Sequence, residues 1–359
     1  MVMFSSGCEP RTNVVAQLDA FGLDNVRISQ RPLQSLAPSS IRVRIRAASL
    51  NHRDLLIARG QFSPVAPLPL VLLSDCAGEV IAVGRDVCRF KIGDRVVGAP
   101  LPAWISGRFT SEMMDSALGG RTDGVLRQYF TGDQRSFVSA PDGFSFEEAA
   151  TLPSAALSAW NALFESGNLK PGKTVLVQGS GGVSIFALQL ALAAGARVIA
   201  TTSSDSKSEA LRRLGAAHVI NYRQQIDWSR QVLELTGGAG VDHIIETGGA
   251  GTLDQSIKSA AVGGSISVIG MLTGAYGTFD TLPVLRKTLS LQGIVLGSVE
   301  MLERMVSTLE MTSTLEALHI RPVIDRIFEM QDIVSALKYL ETGRHVGKVV
   351  IRVDEMSRG

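Results

Sequence analysis

The chain has 359 residues, 45% of them apolar and 19% charged, with 36 glycines. At about 150 residues per domain this length predicts two to three domains with ample core, and it excludes disorder as the general state. Lys plus Arg number 35 and Asp plus Glu 34, so a net charge of +1 supplies no long-range field, and neither nucleic acid nor a membrane surface is expected as a partner.

At the N-terminus, Met1 to Arg11 has neither a basic start nor a long apolar run, so no signal peptide is expected. No uninterrupted apolar stretch is long enough to predict a transmembrane helix. The three cysteines, Cys8, Cys76 and Cys88, form no CxxC and no Cys/His cluster. Neither a disulfide framework nor a cysteine-rich zinc lobe is readable, and a reducing, cytoplasmic setting is expected. The first 150 residues read as mostly β. Residues 41–46 alternate apolar and basic side chains, the period of a strand whose Arg42, Arg44 and Arg46 form a solvated face. Short strands follow at 79–84 and 94–98, bounded by turn glycines. Pro64, Pro67 and Pro69 stiffen a loop between the first two of these strands. Residues 100–121 read as irregular. Their Trp104, Ile105, Phe109, Met113 and Met114 suit either a wall of a substrate cleft or a hydrophobic plug under a loop.

From residue 172 the pattern changes. Strands are expected at 174–178, 197–201, 218–220, 241–245 and 265–269, with helical stretches between them. Such alternation predicts a parallel, doubly wound sheet. Residues 289–296 form a further apolar strand, and the chain ends in a helix near 331–341 and a strand at 348–353.

Between the first strand and the first helix of the alternating region stands Gly179-Ser180-Gly181-Gly182-Val183-Ser184. This is a G-x-G-x-x-G fingerprint with Ser184 in the last place. The first glycine permits a tight turn, the second lets a pyrophosphate approach the backbone, and the helix N-terminus offers unpaired N–H groups. In its strand–turn–helix context the motif predicts a dinucleotide site. The second strand selects the nucleotide. Where an NAD site usually offers an acid to the ribose, this chain has Ser203 and Ser204, then Asp205 and Lys207. Hydroxyls plus a lysine suit a 2′-phosphate, with Tyr222 flanking the adenine or phosphate, so NADP(H) is preferred and NAD(H) stays open. Lys207 reads equally as a solvated charge at a helix start, and Asp205 could swing to the ribose.

Motifs along most of the chain, roughly residues 41–353, resemble the medium-chain dehydrogenase/reductase superfamily, particularly its zinc-free quinone-oxidoreductase-like branch. They are Ala48 to Asp54, Ser74 to Val80, Phe90 to Val96, Ala149 to Pro153, the glycine turn, Leu214-Gly215-Ala216, Asn221-Tyr222-Arg223 and Gly347 to Val350. The resemblance implies an α/β fold, with a Rossmann cofactor domain at 154–299. It also implies a discontinuous, mostly β GroES-like catalytic domain from 1–153 and 300–359, the cofactor lying in the cleft between them. It implies dimerisation through the sheet edge at 289–296. The positions matching the superfamily's catalytic zinc ligands are Asn51, Ser74 and Ser154, and the lobe that would hold a structural zinc has no cysteine, so no zinc is expected. The relay positions hold Arg53 and Leu56.

By the same resemblance, Asn51 would bond an acceptor carbonyl and Ser158 would touch the nicotinamide. The backbone of Gly270, Met271 and Leu272 would receive the carboxamide, Leu296 and Gly297 would lie near the same end, and Lys348 would reach the pyrophosphate. The expected function is zinc-independent, NADPH-dependent transfer of hydride to a small-molecule acceptor, an activated C=C bond or a quinone. The alternatives are a zinc-free alcohol dehydrogenase and a non-catalytic NADPH-binding protein. Asn51 could also merely satisfy local backbone. His52 and Asp54 are a weaker candidate acid pair, His243 reads as structural, and Cys76 reads as a small buried apolar group.

Overall fold

The structure, a computed structural model, describes residues 3–4, 12–62, 67–313 and 320–353. Cys8, Pro64 and most of the segment through Arg11 lie outside these. No helix among the described residues is long and apolar enough to cross a membrane. The chain divides into two compact units, one formed by 1–154 with 298–359 and the other by 155–297.

The first unit is built on a mixed eight-stranded sheet. Its centre is the strand Ser40–Ser49, which pairs antiparallel with Asp75–Val83, Lys348–Arg352 and Tyr129–Asp133. Ile41, Val43 and Ile45 enter a core that the C-terminal part completes with Ile333, Leu337, Val349 and Ile351. The register sets Ser49 opposite both Val350 and Asp75. Running two residues past Ser49, the chain brings Asn51 beside Lys348, almost three hundred residues away in sequence.

Of the arginine face expected to be solvated on this strand, Arg42 is buried while Arg44 and Arg46 are half-buried. Arg42 is 1% exposed. Its Nη2 donates to Gln34 O at 2.5 Å and its Nε to Thr131 Oγ1 at 3.3 Å. Arg44 pairs with Glu79 at 3.7 Å, and the Arg46 guanidinium stands 5.9 Å from the Phe146 ring centroid. Period-2 alternation reports a two-faced strand, but this one has neighbours along both edges, and Gln34 and Thr131 close over Arg42. The polar side is therefore covered at Arg42, whose guanidinium is hydrogen-bonded internally.

Residues 100–121 are irregular apart from a 3₁₀ stretch at Ser111–Ser116. Trp104 is buried, its ring centroid 5.0 Å from that of Phe109 and its indole N–H donating to Gly107 O at 2.9 Å. The carbonyls of Trp104 and Ile105 accept from Val299 and Glu300, at the start of the helix Val299–Ser313. Within the first unit the segment is thus anchored by Trp104, while Ile105, Phe109, Met113 and Met114 are only half-buried.

The second unit is a six-stranded parallel sheet. Its spatial order is His218–Asn221, Arg197–Thr202, Thr174–Gln178, Val241–Glu246, Ala260–Val268, Ser290–Gly293. In chain order this reads 3-2-1-4-5-6, the doubly wound arrangement whose switch point lies between its first and fourth strands. Leu176, Ile199, Ile244 and Ile266 fill its core from the middle strands. They are buried because parallel strands are covered on both faces.

Candidate functional site

In the second unit, the strand Thr174–Gln178 turns at Gly179 into the helix Gly182–Ala193. Gly179 has φ +78°, a conformation that favours glycine. Gly181 differs. Its φ of −75° and ψ of 177° suit any residue, and a Cβ built on it meets no protein atom within 4 Å. Neither backbone conformation nor packing requires a glycine there, so the turn leaves open space in front of its backbone. The N–H groups of Gly182, Val183 and Ser184 belong to the first helical turn and have no intrahelical acceptor. Together these features fit a dinucleotide pyrophosphate. The Ser184 hydroxyl is used differently: it is buried and donates to Gln178 O at 2.5 Å, tying helix to strand.

Ser203 and Ser204 follow directly on the strand Arg197–Thr202, and Ser204 precedes the helix Asp205–Arg213, whose first turn carries Lys207. The Tyr222 N–H donates to Thr202 O, which places this exposed ring beside the end of the same strand. Asp205 is held in place. Its carboxylate accepts from Asn221 Nδ2 at 2.9 Å and from Gln224 Nε2 at 3.3 Å.

The loops on this side of the sheet are fixed by a buried polar network that no motif in the sequence announced. Glu246 is fully buried. Its Oε1 accepts from Gly248 N, Gly249 N and Thr252 Oγ1 at 2.8, 2.9 and 2.6 Å. Its Oε2 accepts from Gln178 Nε2 and Ser256 Oγ at 2.7 and 2.5 Å. Thr273 Oγ1 donates to Gly248 O and accepts from Gly251 N, both at 2.8 Å, which joins this loop to the one containing Gly270, Met271 and Leu272. The N–H groups of Gly270 and Leu272 donate to the carbonyls of Glu246 and Thr247. Among the described residues the Met271 N–H has no backbone partner, and its exposed side chain adjoins that of Leu272. Leu296 holds φ +61°, unusual for a branched residue, while its carbonyl accepts from Asn161 Nδ2 at 2.6 Å. The buried Ser158 lies on Leu157–Trp160, a helical turn flanked by π-helical segments.

In the first unit, Asn51 precedes the helix His52–Ala58, and its own N–H donates to Asp54 Oδ2 at 2.7 Å. Lys348, expected at the pyrophosphate, has its hydrogen bonds within the first unit. Its ammonium is buried and donates to Leu50 O and to Asn51 Oδ1, both at 2.6 Å. Burial lowers its pKa, while Asp75 and Asp54 favour the charged form. Asp75 receives Ser74 Oγ at 2.7 Å, Ser154 Oγ at 2.5 Å and Ser154 N at 3.0 Å. Burial pushes the Asp54 carboxyl up to about 6 and the Cys76 thiol up to about 12. The latter keeps Cys76 a neutral core group. His243 bonds Ser265 Oγ through Nδ1 inside the sheet. Asn51 Nδ2 is out of reach of solvent and has no hydrogen-bond partner among the described residues.

Residues 37–142 match the Alcohol dehydrogenase GroES-like domain family, and residues 182–311 match the Zinc-binding dehydrogenase family. A zinc-type alcohol dehydrogenase-like protein of Schizosaccharomyces pombe is 43% identical over 89% of this chain and 93% of its own. The crystal structure of an NAD-dependent alcohol dehydrogenase is 33% identical, with a TM-score of 0.86 over 95% of this chain and all of that one. The 2-octenoyl-CoA carboxylase reductase CinF, solved with NADP and 2-octenoyl-CoA, shares the fold at 23% identity, with a TM-score of 0.84 over 98% of this chain and 89% of its own. The chain belongs to the medium-chain dehydrogenase/reductase superfamily, in its alcohol dehydrogenase-like branch, and is an NAD(P)H-dependent oxidoreductase.

Proposed function

We propose that this oxidoreductase works without zinc, prefers NADPH, and reduces an enone, enal, enoyl compound or quinone. The observation that carries the reading is Asn51 Nδ2, a buried hydrogen-bond donor without an acceptor among the described residues; the family resemblance sets Asn51 at a metal-ligand position. The donor set around it suits no zinc ion. Asn51 Oδ1 already faces an ammonium, and Ser74 and Ser154 spend their hydroxyl protons on Asp75. Zinc sites are made from thiolate, imidazole and carboxylate, and no group of three such side chains occurs among the described residues. An amide N–H suits a carbonyl oxygen that gains negative charge as hydride arrives at a conjugated carbon. Alcohol oxidation would instead require a group to take the hydroxyl proton.

NADPH supplies the hydride when bound. The Gly179–Ser184 turn would hold its pyrophosphate, with Ser203, Ser204, Lys207 and Tyr222 at the adenosine end. Met271 N–H and the backbone near Leu296 and Gly297 would meet the carboxamide, and Ser158 the ring. Because Asp205 is tied to Asn221 and Gln224, a ribose 2′-phosphate suits this end better than a bare diol. A water molecule can protonate the resulting enolate. A cytoplasmic homodimer belongs to the same reading.

The test joins metal analysis of the purified protein to parallel titrations with NADPH and NADH and a screen of enones and quinones. The expected outcome is no stoichiometric zinc, tighter binding of NADPH, and turnover of at least one acceptor. Lys207→Ala should weaken NADPH about tenfold and leave NADH unchanged, the loss of one charge-assisted contact. Stoichiometric zinc accompanied by oxidation of a secondary alcohol would overturn the reading.

A further inference from the structure

The Lys348–Asn51 contact joins residues 297 positions apart, at the corner where the first unit's central strand meets the C-terminal strand. An ammonium carries three donors and no acceptor, so it can meet an amide only through the oxygen. Turning the Asn51 amide over would set its NH₂ against the Lys348 NH₃⁺ inside the protein, at the cost of a charge-assisted hydrogen bond and with like partial charges in contact. The amide's orientation is therefore dictated by its neighbour. With Oδ1 taken, Nδ2 is the end left over, and it is the buried end with no partner among the described residues. Buried donors left unpaired are costly and rare in folded proteins.

A lysine buried this deeply needs anions nearby. Asp54 and Asp75 supply them, while the Leu50 carbonyl takes a second ammonium proton. Three elements, the loop after Ser40–Ser49, the start of Asp75–Val83 and the start of Lys348–Arg352, thus converge on the orientation of one amide.

We propose that Lys348 is a positioning residue whose ammonium fixes the Asn51 amide so that Nδ2 is kept as a donor for the carbonyl oxygen of the hydride acceptor. The assignment rests on the reductase reading and adds to it the residue that sets the polarity of the acceptor site.

The experiment is a double-mutant cycle on the full-length protein, using NADPH and whichever enone or quinone it turns over. Asn51→Leu should lower kcat/KM about a hundredfold, as loss of one oxyanion donor does. Lys348→Met should lower it about tenfold in the parent, yet change it less than about twofold in the Asn51→Leu background. The dissociation constant for NADPH should stay unchanged throughout. A lysine that merely supports the fold would give the same loss in both backgrounds, and one serving the cofactor would weaken NADPH; either result overturns the assignment. Should Lys348→Met fail to fold, Asn51→Asp decides. It keeps the contact with Lys348 and removes the Nδ2 donor, so it should be as slow as Asn51→Leu, and a fast Asp variant overturns the proposal. If the parent turns over no acceptor, the reductase reading fails by itself. The Asn51 side-chain amide NMR signal then still decides the orienting contact: a shift in Lys348→Met supports it, and an unmoved signal overturns it.

Discussion

Asp54 shows how burial of one carboxyl becomes a property of the whole protein. It is 1% exposed, and one of its oxygens, Oδ1, lacks a hydrogen-bond partner among the described residues. Burial pushes its pKa up to about 6, with Asp75 adding to the rise and Arg53, Lys348 and the Asn51 N–H opposing it. A carboxyl whose folded pKa lies above its unfolded value binds its proton more tightly when folded. Its contribution to stability is fully present below about pH 4 and is lost as pH rises through about 6. Asp54→Asn keeps an acceptor for Asn51 N–H and removes the charge. Relative to the parent, this variant should gain on the order of 2–3 kcal/mol between about pH 4 and pH 7. Urea unfolding at the two pH values measures it, and an equal difference at both would show that Asp54 ionises without penalty. Residues of this kind were only partly legible in the sequence. Asn51 stood out because the family resemblance sets it at a metal-ligand position. What occupies its oxygen did not, because Lys348 lies 297 residues away and only the sheet register brings them together. Arg42 was misread for a related reason, since alternation in a strand cannot show what packs over its polar side. Glu246 carried a faint signal, an acid at the end of a buried strand followed by Thr247, Gly248 and Gly249.

At the level of elements, the second unit was the easier part to read. Its strands are short apolar runs separated by helices of ordinary length, and each was legible to within a few residues, because parallel strands buried on both faces carry an uninterrupted signal. The exception is Ala260–Val268, which starts earlier than expected and shifts register after Val241. The first unit depends on pairings between distant segments, so the strands at 41–46, 79–84, 94–98 and 348–353 were anticipated, but Thr12–Leu18, Val26–Pro32, Tyr129–Asp133, Phe137–Ser139, Ile324–Glu329 and the eight-stranded order were not. The glycine turn illustrates what an element can reveal beyond its existence. Because a Cβ at Gly181 would meet no protein atom, adding a side chain should affect the ligand rather than the fold. Gly181→Val is expected to change unfolding free energy by no more than about 1 kcal/mol, the scale of an N-cap substitution. It should weaken NADPH by at least about tenfold, since the side chain occupies the approach to the backbone. Thermal unfolding without cofactor and a fluorescence titration separate the two effects. A destabilised apo protein would mean that the glycine serves packing instead.

For the molecule as a whole, the open question is what meets the edge of the parallel sheet. Its last strand, Ser290–Gly293, is exposed at every residue and carries no charge and no proline, the usual guards against edge-to-edge pairing. Around it, Val262 and Leu285 are about three-quarters exposed, and Leu282, Leu291 and Val295 are also exposed. A sheet edge with unpaired backbone groups and an apolar border is self-complementary under a twofold axis, since one strand can pair antiparallel with its own copy. That geometry supports the homodimer and makes it testable apart from chemistry. The parent should sediment as a dimer at micromolar concentration. Leu285→Arg combined with Leu291→Lys should shift it to monomer, because two like charges per chain would meet their counterparts across the axis. NADPH binding should survive in that monomer, as the glycine turn lies three strands away from this edge in the sheet order. A parent that sediments as a monomer, or a doubly charged variant that stays dimeric, would remove this edge as the contact.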